Sequence, residues 1–144
     1  MVEQLWLVFA LLSAAAAAMV GIFGKIGLQS VDANTATAIR SVIMALFLLL
    51  VVAVQGNISK IPLIVADKKA LLFIVLSGVA GALSWLFYFL ALKHGKVSQV
   101  APIDKLSVVL ATIAAVVFLG ERLSWLNTLG VALIGVGAVL VALG

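Results

Sequence analysis

Long stretches without charge constrain this chain more than any other feature. Residues 4–24 contain no Asp, Glu, Lys, Arg or His, and about 20 apolar residues in a helix are enough to cross a bilayer. Of the 144 residues, 66% are apolar and 10% are charged, whereas soluble domains average roughly 45–50% and 25%. A water-soluble fold of this length could not bury so much apolar surface. The sequence therefore predicts an all-α, polytopic membrane protein.

The order of apolar stretches and polar connectors predicts about five transmembrane helices, forming one domain over residues 1–144. The expected spans are approximately 4–24, 34–55, 70–92, 97–119 and 125–143. Residues 61–66 are also apolar, but they are far too few for a crossing and are expected to lie at the membrane interface. The first span is expected to be retained, because the acidic start Met1-Val2-Glu3 lacks the positive charge of a signal peptide.

Two of the five spans are too short unless they include polar residues. The uninterrupted apolar runs at 42–54 and 106–119 supply only about two-thirds of a crossing. Each run can extend only backwards, which takes Arg40, Asp104 and Lys105 into the membrane. Spans alternate in direction, so the second and fourth begin on the same side. At a rise of about 1.5 Å per residue, Arg40 and Asp104 then lie at a similar depth of about 9–11 Å.

Two interpretations of this charged layer remain open. Arg40 and Asp104 can pair in a polar cavity that binds substrate or couples transport, because charges inside the membrane are usually functional. Alternatively, the long side chains of Arg40 and Lys105 can reach the interface and serve as anchors. Asp104 and Lys105 are consecutive, about 100° apart on a helix, and are not expected to face each other. Trp85 and Tyr88 share one face of the third helix and could stack on a substrate; for Tyr88, interface anchoring is the alternative.

Several classes of function are disfavoured by the residue content. The net charge is +4, but Lys and Arg are scattered singly and in pairs, so no basic stripe predicts nucleic-acid binding. The chain has no Cys and a single His, which leaves no thiolate metal site and no nucleophile–base constellation. We therefore expect no enzyme activity, no metal and no cofactor. His94 lies in a short loop beside two lysines and is interpreted as a solvated loop residue.

A characteristic order of motifs runs through the C-terminal half. Residues 91–102 read ALKHGKVSQVAP, a long apolar helix leads to LGERLS at 119–124, and a glycine-bearing helix follows. This order, carried by Pro102, Gly120, Glu121, Gly130 and Gly135, resembles the EamA domain of the drug/metabolite transporter superfamily. The similarity spans essentially the whole chain, although the N-terminal half fits more weakly. The PIDKLS segment at 102–107 is similar to the short bacterial and archaeal subgroup with one five-helix domain.

The resemblance implies a secondary transporter of small metabolites that works by alternating access in the inner cell membrane. Most family members carry two such domains in tandem, the second inverted relative to the first, whereas this chain has one copy. Four-helix multidrug exporters of the same superfamily use a carboxylate in their first helix. The first span here has no acid, so their coupling mechanism is not carried over. A non-transporting membrane subunit or partner of another transporter is the alternative function.

The distribution of positive charge bears on assembly. Opposite the N-terminus lie Lys25, Lys93 and Lys96, together with Arg40 and Lys105 if these are counted despite their depth. On the N-terminal side lie Lys60, Lys68, Lys69 and Arg122. Because the Lys/Arg excess of short loops sets orientation, this near balance predicts insertion in both orientations and an antiparallel homodimer. A companion chain of fixed opposite orientation is the alternative. The charged layer is net positive if all three groups ionise, which favours an anionic or zwitterionic substrate.

Overall fold

The computed structural model describes residues 5–144, and within that range every regular element is helical. The elements in chain order are α1 (Leu5–Gly27), α2 (Ala33–Val54), α3 (Ile61–Ala66), α4 (Lys68–His94), α5 (Val97–Asp104), α6 (Leu106–Leu119) and α7 (Trp125–Leu143). One 3₁₀ turn, Ile58–Lys60, precedes α3. The predicted all-α fold is confirmed.

Five segments are long and apolar enough to cross a membrane: α1, α2, α4, the combined stretch Val97–Leu119, and α7. This agrees with the number of spans predicted from the sequence. The observed ends differ from the predicted ones by up to three residues, as at α1, which continues to Gly27. The short α3 has only 6 residues and stands apart from the candidate spans.

The apolar faces of the long helices are open rather than buried. Leu46 and Phe47 of α2 are each 63% exposed, and Leu50 is 61% exposed. In water, such a surface would lose about 25 cal/mol of hydrophobic stabilisation for every Å² left unburied. In a bilayer, lipid chains cover this apolar surface. The helices therefore need little burial against one another.

The chain forms two compact units, each with its own packing. The first comprises the described residues up to Phe23 together with His94–Gly144. In this unit α7 packs against α5 and α6. A Cβ built on Gly135 of α7 would lie 3.4 Å from Cγ2 of Val109 on α6. A small residue at this position therefore allows the two helices to approach closely.

The fourth span consists of two helices, where the sequence predicted one continuous stretch over 97–119. Pro102 lies inside α5 and has no N–H to donate to the preceding turn. Lys105, with φ −71° and ψ −7°, ends α5 and starts α6. Its N–H donates to the carbonyl of Pro102 at 3.1 Å, and its own carbonyl accepts from Val108 at 3.0 Å. The span is thus interrupted at the pair Asp104-Lys105.

A tight reversal connects α6 to α7. Gly120 ends α6 in the left-handed conformation, with φ +68° and ψ 22°, and the N–H of Glu121 donates back to the carbonyl of Ala115 at 3.3 Å. The helix thus ends at a left-handed residue, a position for which glycine is preferred because it has no Cβ. Four residues later Ser124 caps α7 by accepting from the N–H of Asn127 at 3.1 Å.

We predict that Gly120→Ala destabilises the protein by about 1 kcal/mol, because a Cβ in the left-handed region meets the following carbonyl. Thermal unfolding of the purified protein in detergent measures the effect. Gly137→Ala is the matched control, since Gly137 lies within α7 and a Cβ there would meet nothing within 4 Å among the described residues. A Gly120→Ala variant as stable as Gly137→Ala would contradict this explanation of the turn.

Candidate functional site

The second unit, Gly24–Lys93, is organised around a close contact between the end of α1 and the end of α4. A Cβ built on Gly24 would lie only 3.1 Å from Cε1 of Phe89. Leu92 of α4 is fully buried, and Leu28, directly after α1, is 2% exposed. Glycine at position 24 therefore allows the Phe89 ring to lie directly against the backbone of α1.

Two lysines tie these helix ends together in a reciprocal way. Lys25 in the last turn of α1 donates through Nζ to the carbonyl of Leu92 at 2.6 Å. Lys93 at the end of α4 donates through Nζ to the carbonyls of Leu28 and Val31, each at 2.8 Å. The last carbonyls of a helix have no partner within the helix and carry the negative end of its dipole. We call this arrangement of Lys25 and Lys93 the lysine clamp.

Polar side chains at the start of α2 are satisfied locally. Asp32 caps the helix: its Oδ2 accepts from the N–H of Thr35 at 2.8 Å and from the Thr35 hydroxyl at 2.9 Å. These two hydrogen bonds lower the pKa of Asp32 below its usual value, and the bond from the backbone N–H of Thr35 has the larger effect. One turn on, the buried Thr37 hydroxyl donates to the carbonyl of Ala33 at 2.7 Å. These bonds allow a polar segment to begin an apolar helix.

Arg40, two turns into α2, lies over an aromatic cluster on α4. Its Cζ is 3.7 Å from the centroid of the Trp85 ring and 5.0 Å from that of Phe89. Trp85 also meets Tyr88 edge-on, with 5.6 Å between centroids and an interplanar angle of 85°. A guanidinium over a tryptophan face is attracted by the ring quadrupole, and more strongly where water is scarce. The rings therefore hold a half-buried cation in a fixed position.

A wide-open cavity of about 560 Å³ lies beside Arg40, and its lining residues all belong to the single stretch 31–43, in which Ile39 and Ile43 are 59% and 62% exposed. It is lined by Val31, Asp32, Thr35, Ala36, Ile39, Arg40 and Ile43. Small-molecule sites in proteins typically occupy about 300–1,000 Å³ and combine apolar walls with a few polar groups. The cavity has this character, because most of its lining side chains are apolar and Arg40 is the cation among them.

The structure brings together three of the residues that the sequence singled out, namely Arg40, Trp85 and Tyr88. The Arg40–Trp85 contact is direct, and Tyr88 meets the Trp85 ring. Phe89 was missed by sequence reasoning. Its position four residues after Trp85 places it on the same helix face, a signal that could have identified it.

Asp104 and Lys105 contact each other, contrary to the expectation that they would not. Lys105 Nζ lies 3.2 Å from Oδ2 of Asp104. The helix breaks at Lys105, so regular 100° spacing does not apply, and the long lysine side chain can turn back. The predicted pairing of Arg40 with Asp104 involves residues of different units and stays a prediction.

The remaining predicted residues lie in the first unit. Pro102 is inside α5, and Gly120 with Glu121 forms the reversal after α6. Gly135 lies against α6, whereas a Cβ on Gly130 would meet no atom within 4 Å in the described part of the chain. Across residues 5–144, no three His, Cys, Asp or Glu side chains are close enough to hold a metal ion.

We predict that Lys93→Met destabilises the protein by about 1 kcal/mol, because the carbonyls of Leu28 and Val31 lose a charged donor. Thermal unfolding in detergent is again the measurement. Lys96→Met is the control, since the Lys96 side chain forms no hydrogen bond with residues 5–144, and we expect a change below about 0.5 kcal/mol. Equal effects of the two substitutions would show that loss of charge, rather than loss of the clamp, is responsible.

Comparison with known proteins places the chain in a family. Residues 4–143 match the model of the EamA-like transporter family. A protein of Sinorhizobium sp., named as an uncharacterized transporter in the cobO 3′ region, is 45% identical over 140 residues, covering 97% of this chain and 98% of that protein. The uncharacterized protein MJ1333.1 of Methanocaldococcus jannaschii is 28% identical over 81 residues, or 56% of this chain and 59% of that protein. No solved structure matches the chain.

These similarities agree with five candidate spans and with the order of motifs around Pro102 and Gly120. They support a multi-span membrane protein and a membrane transporter of the drug/metabolite type. The chain belongs to the EamA-like transporter family.

Proposed function

We propose that the protein is a secondary transporter of small metabolites that works by alternating access in the inner cell membrane, with Arg40 as a substrate-binding group. Family membership supports transport across a membrane. The observation that carries the assignment of the site is the position of Arg40: within a candidate span, 3.7 Å above the Trp85 ring, and on the wall of a cavity.

A structural role alone explains this arginine poorly. A charged side chain near the middle of a membrane helix costs about 2.5–3.5 kcal/mol, and such residues usually line a substrate or ion path. An arginine that served only as an anchor would extend to the interface, where water and headgroups solvate it. Arg40 instead lies over Trp85 and Phe89, and these rings leave its positive charge in place. An anionic or zwitterionic substrate would neutralise that charge.

The ion pair at the break in the fourth span is the candidate for coupling. Asp104 and Lys105 sit where α5 ends and α6 begins, and interrupted helices in transporters often line the substrate path. We assign to Asp104 the uptake or release of a proton that accompanies transport. Transport by Asp104→Asn that no longer responds to an imposed pH gradient would support this role.

We further propose that two copies work together as an antiparallel homodimer. Transporters commonly pair two repeats of opposite orientation, and this chain carries one EamA-like match over residues 4–143. One side of the membrane has three lysines, at positions 25, 93 and 96. The other side has four basic residues, at positions 60, 68, 69 and 122. Such a small difference leaves either orientation accessible.

We predict that Arg40→Gln lowers substrate transport at least about tenfold, because a charge-assisted hydrogen bond to the substrate is worth roughly 1.5–3 kcal/mol. The protein is reconstituted in lipid vesicles, and uptake is measured for a panel of anionic, zwitterionic, cationic and neutral metabolites, with and without a pH gradient.

Arg122→Gln is the matched control in the same assay. It removes the same charge from the turn after α6, and its rate is expected to stay within about twofold of the unmodified protein. An equal loss in both variants would contradict a substrate-binding role for Arg40. The absence of transport for every metabolite, together with co-purification of a larger membrane protein, would favour the non-transporting subunit.

We predict that reporters fused after Gly144 will be found on both sides of the membrane in similar amounts. An alkaline phosphatase fusion reports the outer location and a fluorescent protein fusion reports the inner one. Lysine pairs added between residues 55 and 60 should shift the population toward one orientation, because they increase the positive charge of one side, and should reduce transport. A single location of Gly144 in cells that lack a companion chain would rule out dual insertion.

A further inference from the structure

The hydrogen-bonding capacity of Arg40 is unused within its own unit, Gly24–Lys93. A guanidinium has five N–H donors, all in its own plane. One face of this plane is covered by Trp85, at 3.7 Å from Cζ to the ring centroid, and within the unit Gly24–Lys93 no residue accepts a hydrogen bond from it or forms an ion pair with it. Charged side chains in membrane-spanning segments usually pair with an opposite charge or a polar group. Because the N–H donors lie in the plane of the guanidinium, such a partner approaches along its edge.

The walls of the cavity limit what this partner can be. Ala36, Ile39 and Ile43 provide an apolar surface beside Arg40, and Arg40 is the cation that lines the cavity. One guanidinium neutralises one negative charge. A doubly charged group such as a phosphate would keep a charge that no second cation in the lining offsets, and removing such a charge from water is costly.

Asp32 at the same cavity acts against further negative charge. Its pKa is lowered, chiefly by the backbone N–H of Thr35, so this carboxylate is ionised at neutral pH and repels a second anionic group. Asp32 and Arg40 are also separated by eight residues of helix, or about 12 Å of rise. The ammonium and carboxylate of an α-amino acid are directly adjacent, so a simple amino acid cannot engage both side chains at their helix positions.

We infer that the Arg40 cavity binds the carboxylate of a monoanionic molecule with an aliphatic chain. The carboxylate lies in the plane of the guanidinium and accepts two parallel N–H bonds, the arrangement that planar carboxylates favour with arginine. The chain lies along Ala36, Ile39 and Ile43. This inference rests on the proposed transport function and names the substrate class of the same site.

Trp85 makes the inference testable by binding alone. The protein has three tryptophans, and Trp6 and Trp125 are 69% and 80% exposed. Replacing both with Phe leaves Trp85 as the single tryptophan, in contact with the group that would receive the ligand. Its fluorescence is measured in lipid nanodiscs during titration with pentanoate, pentanol, pentylamine, monopentyl phosphate and 2-aminopentanoate, which share one chain length.

We predict a saturable fluorescence change with pentanoate and a Kd at least about tenfold lower than for each of the four analogues. Arg40→Gln should raise the Kd for pentanoate to that for pentanol. Arg40→Lys keeps the charge but loses the planar guanidinium, and it should raise the Kd for pentanoate about tenfold. Arg122→Gln should leave the Kd unchanged. Tighter binding of monopentyl phosphate, or equal binding of 2-aminopentanoate, would overturn the assignment.

Ligand selectivity and a cavity-narrowing variant provide two further tests of the site. The five ligands are compared on protein that keeps Arg40. Their relative Kd values therefore test the carboxylate preference even if an Arg40 variant does not fold. Ala36→Phe, which narrows the cavity beside Arg40, should weaken pentanoate while leaving acetate unaffected. Carboxylate binding without transport of any metabolite would contradict the proposed function but not this site. Transport without carboxylate preference would contradict this site but not the proposed function.

Discussion

Lipid offers no hydrogen bonds, and this constraint governs the unit that contains the candidate site. Helices satisfy their own backbone groups except at their ends, where the last carbonyls remain open. The lysine clamp meets this need reciprocally: Lys25 on α1 donates to the carbonyl of Leu92 near the end of α4, and Lys93 on α4 donates to the carbonyls of Leu28 and Val31, which follow α1. These bonds also join the two helices. Because Val31 lines the cavity, the clamp positions one wall of the site.

Arg40 shows a different solution to the same constraint. The charge is held by the faces of Trp85 and Phe89, with no carboxylate of the unit Gly24–Lys93 bonded to it. A carboxylate partner would neutralise the arginine permanently and leave nothing for a ligand to do. An aromatic partner stabilises the cation yet leaves its in-plane donors available. The in-plane donors therefore remain available to the anionic substrate that we propose, and an aromatic partner does not compete with it for them.

The apolar stretches were sufficient to predict five spans, because the length of a crossing and the absence of water dictate them. The reversal at Gly120 was likewise readable, since glycine followed by charged residues ends a helix. The interruption at Lys105 was not predicted, although Pro102 marks the region. The Phe89 contact and the lysine clamp also escaped prediction, because both depend on which helix ends lie side by side. Spacing alone placed Trp85 and Tyr88 on one helix face, where their rings meet edge-on. Asp104 forms an ion pair with its neighbour Lys105, and its pairing with Arg40 stays a prediction.

The close approach at Gly24 has a consequence for the ring that lies beside Arg40. A methyl group at this position would stand 3.1 Å from the Phe89 ring and would push that ring by a few tenths of an ångström. The same ring lies 5.0 Å from the guanidinium carbon of Arg40. A side chain larger than hydrogen at position 24 therefore shifts a ring that lies next to the guanidinium. The size of this one residue limits how closely the aromatic ring and the backbone can pack.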